Sequence, residues 1–567
     1  MLLIVCGMYA CKYDAPLPNA DPDNGGLYIP AGFSALVVAD SIGKARHLCV
    51  RENGDIYVKL SSSNERRKGG NVALRDTTGD GRADIIERFA ATSHGSRSYG
   101  AGMIIHEGYL YYSSALTVYR QKLTNSLIPT SPMEEVLVDD HNHGVHWHIT
   151  KPVSFDGKGY MYIPFGGPSN ACQDLEASAN GSIGGVGLDP CPELELHGGI
   201  WKFPAGKTGL RQQDGVKIAT GIRSVVAMDW READEHLYLV MHGRDNLHSL
   251  FPNHFTPWQS AVLPSEEFIR VEEGADYGWP YCYFDHMQER KVLAPEYGGD
   301  GKIVDRCADK DLPVMGFPGH WAPNDLLFYE GEQFPQRYKG GAFIAFHGST
   351  NRGPYPQSGY FVAFIPFVAG EPSGSWEVFA DGFAGVDPIV STNQAKYRPM
   401  GLAEGPDGSL YIAESRQGKI WRIMYQGSRE AFGEVHLEEM ESHKSMTHIR
   451  IPDPVKDDLQ KDLPEGERLY LTFCGTCHQK NGEGVAGRFP TLVGTDWVLG
   501  EKSRLIDLVL QGVQGPMAVN GELFNGVMPG HAVLPDDQLA IILTFIRQHF
   551  GNQASPISAA EVAKERM

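Results

Sequence analysis

The chain has 567 residues and a formal net charge of −20, from 50 lysines and arginines against 70 aspartates and glutamates. So acidic a surface repels nucleic-acid phosphates and anionic lipids, so the composition argues against nucleic acid as a ligand. Because a chain of this length is too long for one ordinary hydrophobic core, we expect two or more domains. No run of about 18 apolar residues occurs, so we expect no transmembrane helix.

Residues 1–29 are interpreted as an export leader and an N-terminal arm. The segment MLLIVCGMYACKYD is a short apolar stretch that ends at Ala10-Cys11. It resembles a bacterial lipoprotein signal, in which Cys11 would carry the lipid anchor, although Met8 and Tyr9 depart from that pattern. A truncated secretory signal is the alternative interpretation. Either one predicts an exported, periplasmic protein.

From residue 30 to 425 one pattern recurs: an apolar patch, a tight turn rich in Gly, Asp or Asn, and a short aromatic or β-branched strand. It occurs at 48–60, 103–120, 152–166, 227–243, 326–348 and 402–423. Alternating apolar residues on both sides of a turn predict β-hairpins. About six such units predict an all-β domain, a six-bladed β-propeller. A β-sandwich is the competing fold, but it does not explain why the same unit recurs.

Within this region, residues 76–87 follow the spacing of an EF-hand calcium loop. The ligands would be five side chains and one backbone carbonyl, from Asp76, Thr78, Asp80, Arg82, Asp84 and Glu87. Thr78 departs from the usual Asp or Asn, and a solvated acidic turn is the alternative. Calcium here would have a structural role between the first two blades.

The nine cysteines fit an exported protein. Cys172 with Cys191, and Cys282 with Cys307, each bracket a Gly- and Pro-rich loop and could form a local disulfide in an oxidising compartment. Cys49 lies in an apolar strand pattern and is interpreted as a buried thiol.

The rest of the chain changes character. Residues 426–461 lose the repeat and become rich in charge, which is typical of a linker with at most one short exposed helix. Three segments between 462 and 552 carry apolar residues at i, i+3 and i+4 spacing, which predicts a small all-α domain. Residues 553–567 are predicted to form a polar tail.

This domain contains the sequence Cys474-Gly-Thr-Cys477-His478. On a helix, two thiols at this spacing reach the two vinyl groups of one haem, and the histidine ligates the iron. A redox dithiol or half of a zinc site is the alternative, but the domain has no second cysteine pair. The sequence therefore predicts a covalent haem c.

Residues 462–550 resemble class I cytochromes c, which implies a methionine as the sixth iron ligand. Met528, in GVMPG, matches that position, and Met517, in GPMAVNG, is the rival. Methionine opposite histidine favours electron transfer over oxygen chemistry.

Several stretches of the propeller together resemble one family. They are HWHITKPVSFDGKGYMYIPFGGPSNAC (146–172), GIRSVVAMDWREADEHLYLVMHGRDNL (221–247), EEGADYGWPYCY (272–283), FHGSTNRG (346–353) and YRPMGLAEGPDGSLYIAES (397–415). They are similar to soluble quinoprotein sugar dehydrogenases of the sorbosone and pyranose dehydrogenase type, which carry pyrroloquinoline quinone (PQQ) and Ca²⁺ on a six-bladed propeller. The resemblance implies oxidation of a sugar, with electrons passing from PQQ to the haem and on to an external cytochrome or oxidase.

A neutral imidazole is a suitable base for removing the proton of a sugar hydroxyl. His148 matches the family position for that base, with His141, His143 and His146 as alternatives. PQQ carries three carboxylates, which guanidinium and ammonium groups bind well. The cations at matching or neighbouring positions are Arg223, Arg352, Arg398 and Lys151.

The family holds Ca²⁺ partly through backbone carbonyls, and the matching residues are Gly243 and Arg244, with Asp245 as a helper; the ion polarises the PQQ carbonyl. His320 is a candidate for lining the pocket. Two positions depart from the family: Ser224 replaces an asparagine, and Thr350 replaces an aromatic residue. Altered cofactor affinity, altered substrate range and loss of PQQ use therefore stay open.

Two other functions are compatible with the predicted fold. One is a calcium-dependent lactonase or other hydrolase, which shares the fold and metal but gives no reason for an attached haem. The other is a non-catalytic propeller that binds carbohydrate, or another partner, and carries the cytochrome.

Overall fold

The structure, a computed structural model, describes residues 16–61, 70–90, 100–139, 148–173, 181–349, 351–454, 463–485, 489–528, 530–532 and 534–566. Some residues considered above therefore lie outside the described residues: Cys6, Cys11, His141, His143, His146 and Thr350. Among the helices that are described, none is long and apolar enough to cross a membrane.

Six sheets of four or five strands, antiparallel apart from one added strand in blade 2, form the first domain, which confirms the six-bladed β-propeller. Blade 1 contains Ala45–Val50, Ile56–Leu60, Gly70–Arg75 and Ile85–Phe89; blade 2 contains Met103–His106, Tyr109–Ser113, Thr117–Lys122, Glu134–Val138 and the added parallel strand Leu210–Arg211. Blade 3 contains Ser154–Phe155, Tyr160–Phe165, Gly199–Pro204 and Val216–Thr220; blade 4 contains Val225–Arg231, His236–Met241, Glu266–Arg270 and Met315–Phe317. Blade 5 contains Pro323–Phe328, Ala342–Phe346, Phe361–Ile365 and Glu377–Ala380; blade 6 contains Pro399–Glu404, Leu410–Glu414, Ile420–Tyr425 and Phe33–Ala39.

The turns inside these blades explain why the local sequence folds into hairpins. Val50 pairs with Ile56 across an Asn53-Gly54 turn, and Gly54 has a φ of 87°. Glu404 pairs with Leu410 across a turn in which Gly408 has a φ of 79°. Only glycine adopts this left-handed backbone at little cost, so the turn residues fix where each strand reverses.

The ring of blades closes through a pairing between distant parts of the chain. Strand Phe33–Ala39 runs antiparallel to Ile420–Tyr425, with Phe33 opposite Tyr425 and Val37 opposite Trp421. Blade 6 is therefore built from the first and the last strands of the propeller.

One face of the propeller collects the loops that enter the first strand of each blade and the loops that leave the second strand. Both kinds of loop lie at the same edge of an antiparallel sheet, because the second strand returns to the edge where the first began. Two short helices, α1 (Leu247–Leu250) and α2 (Pro257–Val262), follow the second strand of blade 4 on this face. We call it the site face.

Disulfides join Cys172 to Cys191 and Cys282 to Cys307, with Cα–Cα distances of 6.1 and 5.8 Å, as the sequence predicted. The two bridges pack into one buried cluster, and the second spans the small hairpin Cys282–Asp285 and Arg290–Leu293. A further two-strand hairpin, Phe367–Val368 and Glu371–Pro372, extends blade 5. Cys49 is a free thiol and is half-buried rather than fully buried.

The linker contains one short helix, α3 (Glu438–His443), whose glutamates are exposed and whose apolar side is buried. Met440 and Ile449 are each 1% exposed and pack into the core cluster of blades 4 and 5. The part of the linker up to residue 454 is therefore anchored to the propeller.

The C-terminal domain contains α4 (Glu465–Phe473), α5 (Gly475–His478), α6 (Asp496–Leu499), α7 (Lys502–Gln511), α8 (Asp536–Gln548) and α9 (Ala559–Arg566). Two features correct the sequence analysis. A β-hairpin, Val513–Val519 paired with Glu522–Met528, interrupts the helices. The segment expected as a polar tail contains α9, which packs on the domain through Val562, which is fully buried, and through its contacts with α7 and α8.

Candidate active site and haem centre

His148 lies on the site face just before the first strand of blade 3. Its Nδ1 lies 2.6 Å from the carbonyl oxygen of Gly167. A carbonyl only accepts, so Nδ1 carries the hydrogen and Nε2 is the nitrogen with the lone pair. Burial and the charge of Arg223 lower the pKa of His148 to about 3. The imidazole is therefore a neutral group suited to accept a proton at Nε2.

Arg223 enters the site from the start of blade 4 and is 2% exposed. Its guanidinium donates to the Gly243 carbonyl at 2.7 Å, to Asn170 Oδ1 at 2.9 Å and to Asp245 Oδ2 at 3.1 Å. Burial raises the pKa of Asp245, but hydrogen bonding from His320 and the charge of Arg223 outweigh burial and hold it well below its usual value. Asp245 is therefore a carboxylate at neutral pH.

Asp245 connects Arg223 to the residues of blade 5. Asn351 Nδ2 donates to Asp245 Oδ1 at 2.6 Å, and His320 Nδ1 lies 3.5 Å from the same oxygen. His320 Nε2 lies 2.8 Å from the carbonyl oxygen of Ser260 in α2. His320, the predicted pocket residue, is 5% exposed. It contacts the Asp245 carboxylate, as Arg223 does.

Arg352 lies beside this group and is 1% exposed. Its Nε donates to the carbonyl oxygen of Ala261 in α2 at 2.9 Å. Its two terminal nitrogens are buried and, among the described residues, have no hydrogen-bond partner. Burial lowers the pKa of Arg352 to about 10. A buried guanidinium with two unused donors fits an anionic ligand such as a carboxylate.

The other two predicted cations have partners in the protein. Arg398 donates to the carbonyl oxygens of His347 and Gly348, in the loop that leads to Asn351. Lys151 forms a buried ion pair with Asp139, with 3.0 Å between Nζ and Oδ2. Lys151 lines a small cleft together with His148, but its charge is already balanced.

The predicted calcium ligands Gly243 and Arg244 lie in the same loop as Asp245. The Gly243 carbonyl accepts from Arg223, and the Arg244 guanidinium forms a buried ion pair with Glu296. Across the described parts of the chain, no group of three or more His, Cys, Asp or Glu side chains is arranged to hold a metal ion. Calcium at these backbone carbonyls therefore stays a prediction.

The EF-hand-like loop is fully described, and its carboxylates bind its own backbone. Asp76 accepts from the N–H groups of Thr78, Gly79 and Gly81, and Asp80 accepts from that of Arg82. Asp84 accepts from Thr77, and the Arg82 guanidinium pairs with Asp21. A strand rather than a helix follows the loop and carries Glu87. Calcium binding in this loop also stays a prediction.

In the C-terminal domain, Cys474 follows α4, while Cys477 and His478 lie on α5. The Nδ1 atom of His478 lies 2.9 Å from the carbonyl oxygen of Pro490. That bond orients the ring and leaves Nε2 to ligate iron. All three side chains line one largely apolar cavity.

The far side of this cavity offers candidates for the sixth ligand. Met528 and Met517 both line it, on opposite strands of the hairpin. Met528 ends the second strand of the hairpin. His531 lines the cavity too, and sequence reasoning missed it, although it is only three positions from Met528. Ligation by Met528 stays a prediction.

Sequence reasoning also missed Asn170 and Asn351. Asn170 comes from an insertion without periodicity, and its side chain donates to the Asp245 carbonyl at 2.9 Å while accepting from Arg223. The available signal was the family departure at Ser224, which implied a missing amide beside Arg223. The structure places two amides there from other loops.

Two family models match the chain. One, described as TrAA12-like, matches residues 27–426, and the other, cytochrome c, matches residues 463–550. Fold and site define an oxidoreductase in which a sugar-dehydrogenase-like propeller is joined to a cytochrome c domain, and this domain implies haem c. The chain belongs to the TrAA12-like family, which confirms the resemblance found in the sequence.

The haem domain has characterised relatives. Cytochrome c-552 of Thermus thermophilus is 36% identical over 111 residues, which is 18% of this chain and 84% of that protein. The fructose dehydrogenase cytochrome subunit of Gluconobacter japonicus is 34% identical over 107 residues, which is 18% of this chain and 22% of that protein.

Solved structures resemble the propeller. The holo form of the pyranose dehydrogenase PQQ domain from Coprinopsis cinerea has a TM-score of 0.55 at 16% identity and covers 73% of this chain and 99% of that chain. The calcium structure of the Trichoderma reesei family AA12 enzyme has a TM-score of 0.55 at 17% identity and covers 73% of this chain and 100% of that chain. At these identities the likeness establishes the fold alone.

Proposed function

We propose that this protein oxidises a sugar with PQQ and Ca²⁺, passes the electrons to its own haem c, and delivers them to an external acceptor. The observation that carries the proposal is Arg352, whose two buried terminal nitrogens have no partner among the described residues. Leaving charged donors unpaired is costly, and one carboxylate of PQQ would satisfy both. The relatives named above, a PQQ domain and a dehydrogenase cytochrome subunit, support the two halves of the proposal.

PQQ, when bound, supplies the hydride acceptor. His148 Nε2 takes the proton from the sugar hydroxyl, and its low pKa keeps it neutral for this task. Arg223 stands next to His148 and orients Asp245, while Arg352 and Arg398 supply further positive charge for an anionic cofactor. Lys151 contributes only indirectly, because Asp139 balances its charge.

The proposal places Ca²⁺ at the carbonyl oxygens of Gly243 and Arg244, with Asp245 as a helper. When bound, such an ion polarises a carbonyl and makes it a better hydride acceptor. A carbonyl oxygen has two lone pairs, so the hydrogen bond from Arg223 to Gly243 leaves one available. A second, structural calcium in loop 76–87 is a separate prediction.

The proposal also includes export to the periplasm, with lipidation of Cys11 as a means of anchoring. Two disulfides in the propeller support an oxidising compartment. Fractionation of the producing cells tests the location, and mass spectrometry of the mature N-terminus tests the lipid.

The decisive experiment reconstitutes the purified protein with PQQ and Ca²⁺ and follows the haem α-band after adding aldoses, pyranoses or sorbosone. We expect reduction that requires both the sugar and PQQ. His148→Ala should slow it by about 10²- to 10⁴-fold without changing the oxidised spectrum, because only the base is lost. Reduction without PQQ, or none across the panel, contradicts the proposal; full turnover by the variant assigns the base elsewhere.

A further inference from the structure

The haem cavity is lined almost entirely by the C-terminal domain. Among the described residues, Gln394 is the one lining residue that comes from the propeller. It ends a 3₁₀ turn, Thr392–Gln394, in the loop between blades 5 and 6 on the site face. The hairpin strand that carries Met528 packs against this turn.

One further contact attaches the linker to the site face, at blade 4. Trp258 of α2 donates through Nε1 to the carbonyl oxygen of Pro452 in the linker, at 2.7 Å. The haem domain therefore contacts the site face at the loop before blade 6, and the linker that precedes it contacts the site face at blade 4.

The turn that meets the haem cavity is continuous with the site. Gln394 and Arg398 are four residues apart, which limits their Cα atoms to a separation of roughly 14 Å. Arg398 binds the two carbonyls of the loop that carries Asn351 and Arg352. The ring of Tyr360 lies 5.9 Å from the Arg398 guanidinium carbon and packs in one buried cluster with Ala395.

Hydrogen bonds hold the turn in place. Gln394 Oε1 accepts from the Val390 N–H at 3.0 Å, and the Thr392 carbonyl accepts from Arg416 at 2.8 Å. Ala395 is 2% exposed. The turn is therefore fixed on the propeller, beside the site, and electron tunnelling depends steeply on the distance between donor and acceptor.

We propose that the segment 394–398 is the contact through which electrons pass from the site to the haem, with Gln394 as the residue that positions the haem domain. The inference rests on the proposed function. Oxidation of one sugar hydroxyl yields two electrons and two protons; each electron reduces one ferric haem to ferrous haem. An external oxidant must reoxidise the haem between the two transfers, and the protons go to His148 and solvent.

The docking is tested without cofactor or substrate. A nitroxide spin label is attached to Gln394→Cys, and a matched label is attached to Val216→Cys, an exposed position (63%) on the outer strand of blade 3. Ferric haem is paramagnetic and accelerates relaxation of a nearby nitroxide. We expect strong enhancement at 394 and little at 216, with reagent-treated wild type as background. Equal relaxation at the two positions overturns the proposal.

The electron path is tested by stopped-flow haem reduction in the loaded protein. Gln394→Trp adds bulk at the contact and should slow haem reduction at least tenfold, with the haem midpoint potential unchanged. Asn393→Trp adds the same bulk at the exposed neighbouring position and should stay within twofold of wild type. Unchanged rates in both variants, or equal losses in both, overturn the path. If no sugar reduces even the wild type, the proposed function fails, while the spin-label result still decides the docking.

Discussion

Burial and the charge of Arg223 lower the pKa of His148 to about 3, well below the ordinary 6.5 of histidine. The base is therefore neutral in mildly acidic solution, so haem reduction by sugar should keep its rate from about pH 7 down to about pH 5. Arg223→Gln removes the neighbouring charge and should move the acidic limb of the profile upward, whereas Arg223→Lys should hold it low. Stopped-flow rates across this pH range check both, and an acidic limb near 6.5 in wild type contradicts the assignment.

Replacing Arg352 should stabilise the cofactor-free protein but reduce the stabilisation that PQQ provides. In the cofactor-free protein its buried, unpaired terminal nitrogens are unfavourable, so Arg352→Met should raise the free energy of unfolding by about 1 kcal/mol. The same change removes a partner for the cofactor, so the increase in Tm on adding PQQ should shrink. Thermal denaturation with and without PQQ measures both effects.

Arg398→Met is the matched control. Arg398 already donates to the carbonyls of His347 and Gly348, so its loss should destabilise the cofactor-free protein rather than stabilise it. If both variants change stability in the same direction, the terminal nitrogens of Arg352 are not the cause.

Single residues also show what a sequence can reveal about this site. His148 and Arg223 stand in short family motifs, and His320 was a candidate for lining the pocket. The structure joins Arg223 and His320 through Asp245, and His148 and Arg223 both bind the backbone of Gly167. Asn170 belongs to the same network but comes from an insertion, where no periodicity or spacing relates it to Arg223. Its position depends on tertiary folding, so a local pattern could not predict it.

At the scale of elements, the linker is held to the propeller by two histidines on one buried carboxylate. His443 Nδ1 lies 2.6 Å from Asp381 Oδ2, and His448 Nε2 lies 3.0 Å from Asp381 Oδ1. Burial would lower the pKa of His448, but Asp381 and Asp387 raise it to about 9. The charge of His448 thus stabilises the attachment of the linker.

This raised pKa predicts how stability depends on pH. The stabilisation is fully present below the unfolded value of 6.5 and is lost as pH rises towards about 9, with a total on the order of 3 kcal/mol. Urea unfolding of wild type and of His448→Asn should therefore differ most below about pH 6.5 and converge at alkaline pH. His254→Asn, at an exposed position, should track wild type throughout. A difference that is independent of pH contradicts the ion pairs as its source.

The C-terminal domain shows which secondary-structure elements the spacing of apolar residues can and cannot predict. The amphipathic helices α4, α7 and α8 were predictable from their apolar spacing, and the structure contains all three. Helix α9 buries only a few side chains, chiefly Val562, so its segment reads as polar although it packs on α7 and α8. The hairpin at 513–528 is rich in glycine and methionine, which obscures the alternation typical of strands.

On the scale of the whole molecule, six blades were predictable because each contains its own turn and alternating strands. Closure of the ring was not, since it pairs Phe33–Ala39 with a strand nearly 400 residues away. The contacts of the haem domain and of the linker with the site face were equally unpredictable, because Gln394 and Trp258 carry no motif. The hairpins of each blade were therefore predictable from the sequence, whereas the contacts between distant parts of the chain were visible only in the structure.

The two disulfides predict that the insertions on the site face contribute to stability together rather than independently. They close loops with sequence separations of 19 and 25 residues, so each should contribute about 3 kcal/mol to the free energy of unfolding. Both lie in one buried cluster with Tyr281, whose hydroxyl accepts from the Cys191 N–H at 2.7 Å. Groups in contact are energetically coupled.

Removing both disulfides should therefore change stability by an amount that differs from the sum of the single removals by at least about 0.5 kcal/mol. The measurement is a double-mutant cycle of serine variants in urea, read by tryptophan fluorescence. The second loop also carries Glu296, which pairs with Arg244, so Cys282→Ser with Cys307→Ser should weaken PQQ binding as well. Additive costs with unchanged PQQ affinity would show that the insertions fold independently of each other and of the site, because coupled packing cannot give that result.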